Sequence, residues 1–325
     1  AAPRAVALRA AAASARVGVR AASSVGTGGD KVVITCSLNG VLTDPKQFAD
    51  VPVTPEQMAQ SAAEAYDAGA SVVHIHFRDQ RPGKGHLPSW DPDVAKACVD
   101  AIRAKRPDII INLTTGTMDV PGPIGGGPLG PTGGPISCLE ATKPEMAALN
   151  SGSLNYLKTK RDGTWAWEPL QFTNPVSKIT TMLNAMRERD IVPECECFDT
   201  GIVRSIGMFE DVGLLSKPVH VSFVMGVASG MPAKASWLPL LVDEVRPGTQ
   251  WQVIAIGRSE VWDLHQKCAE MGGNMRAGLE DTFYLPDGSR ARTNGQLIEA
   301  LVATARRAGR EPASPAEALA AIRHV

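Results

Sequence analysis

The sequence predicts a single (β/α)₈ barrel, the TIM-barrel class of α/β fold, on three observations. Its length of 325 residues suits one barrel, which needs roughly 250 residues plus insertions. Eight short apolar runs rich in valine and isoleucine recur along the chain without strict polar alternation, as expected of parallel strands covered on both faces. Helical stretches with recognisable start signals separate these runs, and right-handed strand–helix–strand repeats of this number close on themselves. A doubly wound open sheet is the runner-up. It is weakened because no Gly-rich phosphate turn follows the first strand.

The predicted strands are residues 32–37, 71–77, 109–113, 145–150, 192–198, 219–225, 250–256 and 274–279. Between the first two, Thr54-Pro55-Glu56 supplies an N-cap, a proline in the first turn and an early acid, and the helix should end near Ala68-Gly69. Asp91-Pro92 and Ser314-Pro315 open two further helices in the same way. Two segments interrupt the alternation. Residues 117–139 form a Gly/Pro-rich stretch after the third strand, on the side where barrel active sites lie, and read either as a lid or as an unstructured insertion. Residues 151–174, with Trp165 and Trp167, read as a hairpin turning around Asp162-Gly163.

Composition excludes several classes of function. With 44% hydrophobic and 21% charged residues and a formal net charge of −1, the chain has a large core and no field that would draw nucleic acid or an anionic membrane. No run approaches the ~18 apolar residues that span a bilayer. Six cysteines, at 36, 98, 138, 195, 197 and 268, contain no CxxC pair and read as reduced core thiols. The first thirty residues differ in kind, with Arg4, Arg9, Arg16 and Arg20 and no acid before Asp30. That is the composition of an organelle transit peptide, or else a disordered extension. A transit peptide would send the body, residues 31–325, to the mitochondrial matrix or a plastid; otherwise the protein is expected in the cytoplasm.

The sharpest chemical signal is the His-Ile-His of the second strand. Side chains two apart on a strand share a face, so His74 and His76 project together toward the barrel mouth. Two imidazoles in a tight interior need partners. A divalent metal serves both at once, and two hydrogen-bonded core histidines are the alternative. Glu280 and Asp281 end the eighth strand, which closure brings beside the first and so close to the second. Two histidines and one carboxylate with an open position make a catalytic rather than a structural zinc set. A solvated acid pair is the alternative there. On the fifth strand Glu196 should face the mouth, where Arg276 is a bidentate partner for it. His220 reads as a hydrogen-bonded core residue, and His86, His265 and His324 add no ligand.

Several stretches together resemble a known family: VITCSLNG, VPVTPEQ, AGASVVHIHFRD, INLTTG, KPEMAALNSGSLN, VPECECFDTG, FVMGVASGM, AIGR and RAGLEDTFY. Running in one order from about 31 to 320, they are similar to the β-keto acid cleavage enzymes, the group that includes the 3-keto-5-aminohexanoate cleavage enzyme of lysine fermentation. The resemblance implies a (β/α)₈ barrel with zinc on His74, His76 and Glu280. It implies Asp281 as the base, held and tuned by Arg276 and Glu196, and substrate contacts at Thr114, Thr117 and Asn150. It also implies acetyl-CoA as co-substrate, acetoacetate and a new acyl-CoA as products, and a homo-oligomer. Two positions depart from the family. Leu42 stands where a glutamate meets the amino group of aminohexanoate, and Ala148 where a threonine touches substrate. A buried ammonium facing Leu42 would lose its partner, at a cost of ~3–5 kcal/mol, so a neutral or apolar β-keto acid is expected. A metal-dependent hydrolase on the same barrel is disfavoured, because those barrels place their HxH on the first strand and take further histidines from the fifth and sixth. A barrel serving only as a binding protein is disfavoured by the retained ligands and Asp281.

Overall fold

A computed structural model of the chain describes residues 30–41, 43–117, 134–166 and 168–324. The extension read in residues 1–30 falls almost wholly outside the described residues. So do most of the Gly/Pro-rich 117–139 stretch, Leu42 and Trp167.

Eight parallel strands close into a barrel: β1 Ile34–Ser37, β2 Val72–Ile75, β3 Ile110–Leu113, β4 Met146–Asn150, β5 Val192–Cys197, β6 His220–Met225, β7 Gln250–Ala255 and β8 Asn274–Ala277. Each neighbours the next in sequence, and β8 pairs with β1 through Arg276 opposite Thr35. All eight lie within the predicted runs, shortened by a residue or more at an end; ahead of the first, Lys31–Val32 pairs with Glu311–Pro312 outside the barrel. The helices are α1 Pro55–Asp67, α2 Pro92–Lys105, α3 Gly134–Thr142, α4 Val176–Glu188, α5 Thr200–Asp211, α6 Leu238–Glu244, α7 Val261–Glu270, α8 Asn294–Arg307 and α9 Pro315–Arg323. The start signals read in the sequence are in place. Thr54 with Gln57 and Ser314 with Glu317 form capping boxes, and Asp91 caps α2. No described helix is long and apolar enough to cross a membrane.

The two ends of the barrel are finished differently. At the N-terminal end α9 acts as a plug, packing Ala318 and Ile322 against Val33, Val72, Ile110 and Met146. There His220 Nε2 meets the Ile322 carbonyl at 2.9 Å, the structural role expected for it. At the other end, strands Leu154–Tyr156 and Leu170–Phe172 pair antiparallel after β4, and Lys160–Thr164 turns around Asp162-Gly163. The predicted hairpin therefore forms, and it leans over the mouth. All six cysteines are buried free thiols.

His265 on α7 is wholly buried beside Trp262, and neither ring nitrogen has a hydrogen-bond partner. Burial pushes it down to about 4. The native state therefore keeps it neutral, while an unfolded chain takes up a proton below about pH 6.5. Stability should fall as the pH drops from 6.5 toward 4 and level off below that. His265→Leu is expected to be neutral or stabilising at pH 7.5 and to gain ~2 kcal/mol over wild type at pH 5. Urea unfolding at both pH values checks this, and an equal gain at both would refute the assignment.

Candidate active site

The site is assembled where β2 and β8 meet across β1. Ser37 is in register with His74 on one side, and Arg276 with Thr35 on the other. His74 and His76 share the inward face, with their Nε2 atoms 3.1 Å apart. Glu280, just past β8, brings one oxygen to 3.2 Å from His76 Nε2 and the other to 3.6 Å from His74 Nε2. Ligand atoms of all three residues lie within 4.8 Å of one another.

The close approach is built into the backbone. Gly40 has a φ of +53°, and a Cβ there would stand 2.7 Å from Glu280 Cγ, so a side chain at 40 would displace the carboxylate. Asn39 holds the other partner: its amide bridges the His76 backbone, accepting from the N–H at 3.1 Å and donating to the carbonyl at 3.0 Å. Arg78, buried just beyond, donates to the carbonyls of Asn39, Gly40, Thr43 and Gly85 at 2.7–3.2 Å. In sequence it looks like an ordinary charged loop residue. In the fold it clamps the segment from which Glu280 is cradled.

Arg276 is the electrostatic centre. Its Nε and Nη2 donate to Asp281 at 3.0 Å each, its Nη1 reaches Glu196 at 3.5 Å, and Glu280 lies 3.3 Å from Nη2. Its bidentate fork therefore engages Asp281. The sequence had suggested Glu196, but the acid just past β8 sits closer to the guanidinium plane than one on a strand across the barrel. Ser37 Oγ donates to Asp281 at 2.6 Å, completing its hold.

Burial drives the titration of these groups in opposite directions. It lowers the His74 imidazole well below its ordinary value, with Arg276 adding to the effect, so the ring is neutral and free to ligate. Burial would raise Glu280, but His76, Arg276 and His74 outweigh it and hold the carboxyl far below the usual range. Glu196 is pushed up to about 8 by burial, against the opposing pull of Arg276. Asp281 is likewise raised by burial, and Arg276 opposes this too. Three carboxylates thus face one guanidinium, and Glu280 Oε2 is buried without a hydrogen-bond partner. An ionised carboxylate with an orphaned oxygen, set against the two histidine Nε2 atoms, suits a divalent cation.

A cavity of about 340 Å³ opens onto these residues. His76, Glu196, Arg276, Glu280 and Asp281 line it, as do Thr114 and Asn150. Thr117 does not line it; its carbonyl instead accepts from Lys178 Nζ at 3.2 Å. Ala148 is buried within β4, below the rim. Leu42 lies outside the described residues, between the lining residues Val41 and Thr43. The far wall holds residues that sequence reasoning did not select: Tyr156, Lys158 and Phe172 from the hairpin, and Phe198, Val224 and Ile254 from the barrel rim. The hairpin's position after a strand's C-terminal end was the one available signal for the first group.

A model of the family described as beta-keto acid cleavage enzyme matches residues 31–323. Among curated relatives, the 3-keto-5-aminohexanoate cleavage enzyme of Fusobacterium nucleatum subsp. nucleatum is 33% identical over 291 residues, covering 89% of this chain and 96% of that protein. The 3-dehydrocarnitine:acetyl-CoA trimethylamine transferase of Rhizobium meliloti is 30% identical over 298 residues, covering 88% and 94% respectively. Among solved structures, the ternary complex of ObcA with C4-CoA adduct and oxalate superposes with a TM-score of 0.64 at 18% identity, covering 82% of this chain and 66% of that chain. At that identity the likeness is one of fold.

Proposed function

Because the chain belongs to the β-keto acid cleavage enzyme family, we propose that it is a zinc-dependent enzyme that condenses a β-keto acid with acetyl-CoA, releasing acetoacetate and a new acyl-CoA. The observation that carries this reading is the convergence of His74, His76 and Glu280 within 4.8 Å, beside the Arg276–Asp281 pair and open to one cavity. Acetyl-CoA as the acceptor is supported by the name of the Rhizobium relative.

The donor set of two imidazoles and one carboxylate is that of catalytic zinc. A divalent ion bound there supplies Lewis acidity for a keto oxygen and the neighbouring carboxylate. Asp281 removes a proton from the carbon between those two groups. Its burial strengthens it as a base, while Arg276 and Ser37 fix both of its oxygens. The carbanion so formed attacks the thioester carbonyl of acetyl-CoA and expels the CoA thiolate. That thiolate attacks the former keto carbon, the bond to the central carbon breaks, and Asp281 returns its proton to give acetoacetate. The chain itself forms no covalent bond. Thr114 and Asn150, which line the cavity at the ends of β3 and β4, orient the substrate in this reading.

On the far wall Phe172, Phe198, Val224 and Ile254 outnumber Tyr156 and Lys158, which favours an apolar acyl group, and in sequence Leu42 stands where the resemblance implies an acid that meets an ammonium. A panel of β-keto acids with acetyl-CoA, read by mass spectrometry of the acyl-CoA product, tests both parts. Neutral substrates are expected to exceed 3-keto-5-aminohexanoate in kcat/KM by ~10²-fold or more, a gap that Leu42→Glu narrows at least tenfold. Turnover without acetyl-CoA would sink the proposed reaction. Equal use of the amino substrate by wild type and Leu42→Glu would sink the specificity.

A further inference from the structure

Below the site, a fourth carboxyl group is buried, and among the described residues no cation pairs with it. Glu194 on β5 is 1% exposed. Its Oε1 accepts from Gln252 Nε2 at 2.8 Å and from Ser222 Oγ, and its Oε2 accepts from Asn112 Nδ2. Neutral donors from three strands therefore satisfy it, with no described ion pair. This arrangement fixes more than Glu194. Because the Asn112 amide spends its N–H on the carboxylate, its Oδ1 must face the other way. That oxygen is buried without a hydrogen-bond partner. Asn112 on β3 is in direct register with His74 on β2, and both side chains point into the barrel. The Nδ1 of His74 is also buried without a partner. One unsatisfied acceptor and one ring nitrogen that can carry a proton thus belong to residues in direct register on adjacent strands, where leaving either unpaired is costly.

We infer that Asn112 and Glu194 are positioning residues for the metal centre: Glu194 orients the Asn112 amide, and Asn112 Oδ1 takes the Nδ1 proton of His74, so that the bare Nε2 faces His76 and Glu280. An imidazole offers only one lone pair when neutral, and the hydrogen bond made by its other nitrogen decides which one. Without Asn112 the ring could place its proton on Nε2, the atom 3.1 Å from His76 Nε2, and would then present nothing to a cation. The device is a carboxylate–amide–imidazole chain, a longer form of the outer partner that ligating histidines commonly use.

The role assigned to these residues rests on the metal site proposed above, but its first test does not require metal. With ¹⁵N-labelled histidine, long-range ¹H–¹⁵N spectra of chelator-treated protein report the His74 tautomer, assigned by the signal lost in His74→Gln. An Nδ1–H ring is expected, and an Nε2–H ring would overturn the inference outright. Asn112→Leu, which keeps the volume and removes the amide, is then compared with wild type by competition against a chromophoric chelator for zinc. Affinity is expected to fall ~10- to 100-fold while circular dichroism shows the variant folded. A folded variant binding within twofold of wild type would reduce Asn112 to a partner of Glu194 alone and sink the inference. If Asn112→Leu does not fold, Glu194→Gln, which keeps the shape but disturbs the amide orientation, is expected to weaken zinc in the same direction. Failure of wild type to bind zinc would count against the proposed chemistry, and the tautomer would still decide this point.

Discussion

Asp281→Asn is expected to lower kcat by ~10²- to 10⁴-fold, the usual worth of a positioned general base, with little change in KM. Three features make this a test of chemistry. The substitution nearly keeps the shape, so the cavity should survive. It leaves His74, His76 and Glu280 untouched, so zinc content measured by atomic emission should match wild type. It also retains one oxygen to accept from Arg276, although the new amide cannot satisfy both N–H groups that reach Asp281 at 3.0 Å, and a modest loss of Tm should follow. A base that acts only in the proton-transfer step alters kcat and kcat/KM together. An unchanged kcat with a raised KM would instead make Asp281 a binding group, and more than a tenth of wild-type kcat in a zinc-loaded variant would remove it from the mechanism.

How far the site could be read from residues alone depended on the range of the interaction. His74 and His76 were legible because strand periodicity is local: two residues apart means one face, whatever the rest of the chain does. Glu280 needed one further step, that a closed eight-stranded barrel sets β8 beside β1, and its 3.2 Å approach to His76 bears out that topology. Glu196 could be placed at the mouth by the same alternation. Its partner could not, because whether Arg276 forks onto Glu196 or Asp281 turns on differences of an ångström between two inward acids. The direction of Thr117 was illegible for a related reason. It sits in irregular chain after β3, where no period fixes direction, and it lies off the cavity wall. Arg78 and Glu194, which shares a strand face with Glu196, receive no role from sequence alone, and neither does Asn112. Each takes its meaning from partners brought in by register or by a loop crossing, such as Asn112 and Gln252 reaching Glu194 from residues 82 and 58 positions away.

Arg276→Met should be the most destabilising single change in the site. It removes the one guanidinium that faces Glu196, Glu280 and Asp281 and leaves three buried acids without it. Truncating one partner of a buried charge cluster costs ~3–5 kcal/mol, or roughly 4–7 °C in Tm for a chain of 325 residues. The sign of the pH dependence follows from Glu196, already pushed up to about 8 by burial even with Arg276 opposing. A carboxyl whose folded value stands above its unfolded one contributes stability that is complete below the ordinary 4.5 and lost as the pH rises through the folded value. Loss of Arg276 raises that folded value further, and it should raise Asp281 as well. The deficit of Arg276→Met should therefore be small near pH 5 and largest near pH 9, and saturating zinc, which restores positive charge beside Glu280, should recover part of it. Arg276→Lys separates charge from geometry. It keeps a cation but cannot present two parallel N–H groups to Asp281, so most of the stability should return while kcat stays at least tenfold down. If lysine restored turnover, the fork would be a matter of charge alone, and the orientation of Asp281 would have to come from Ser37.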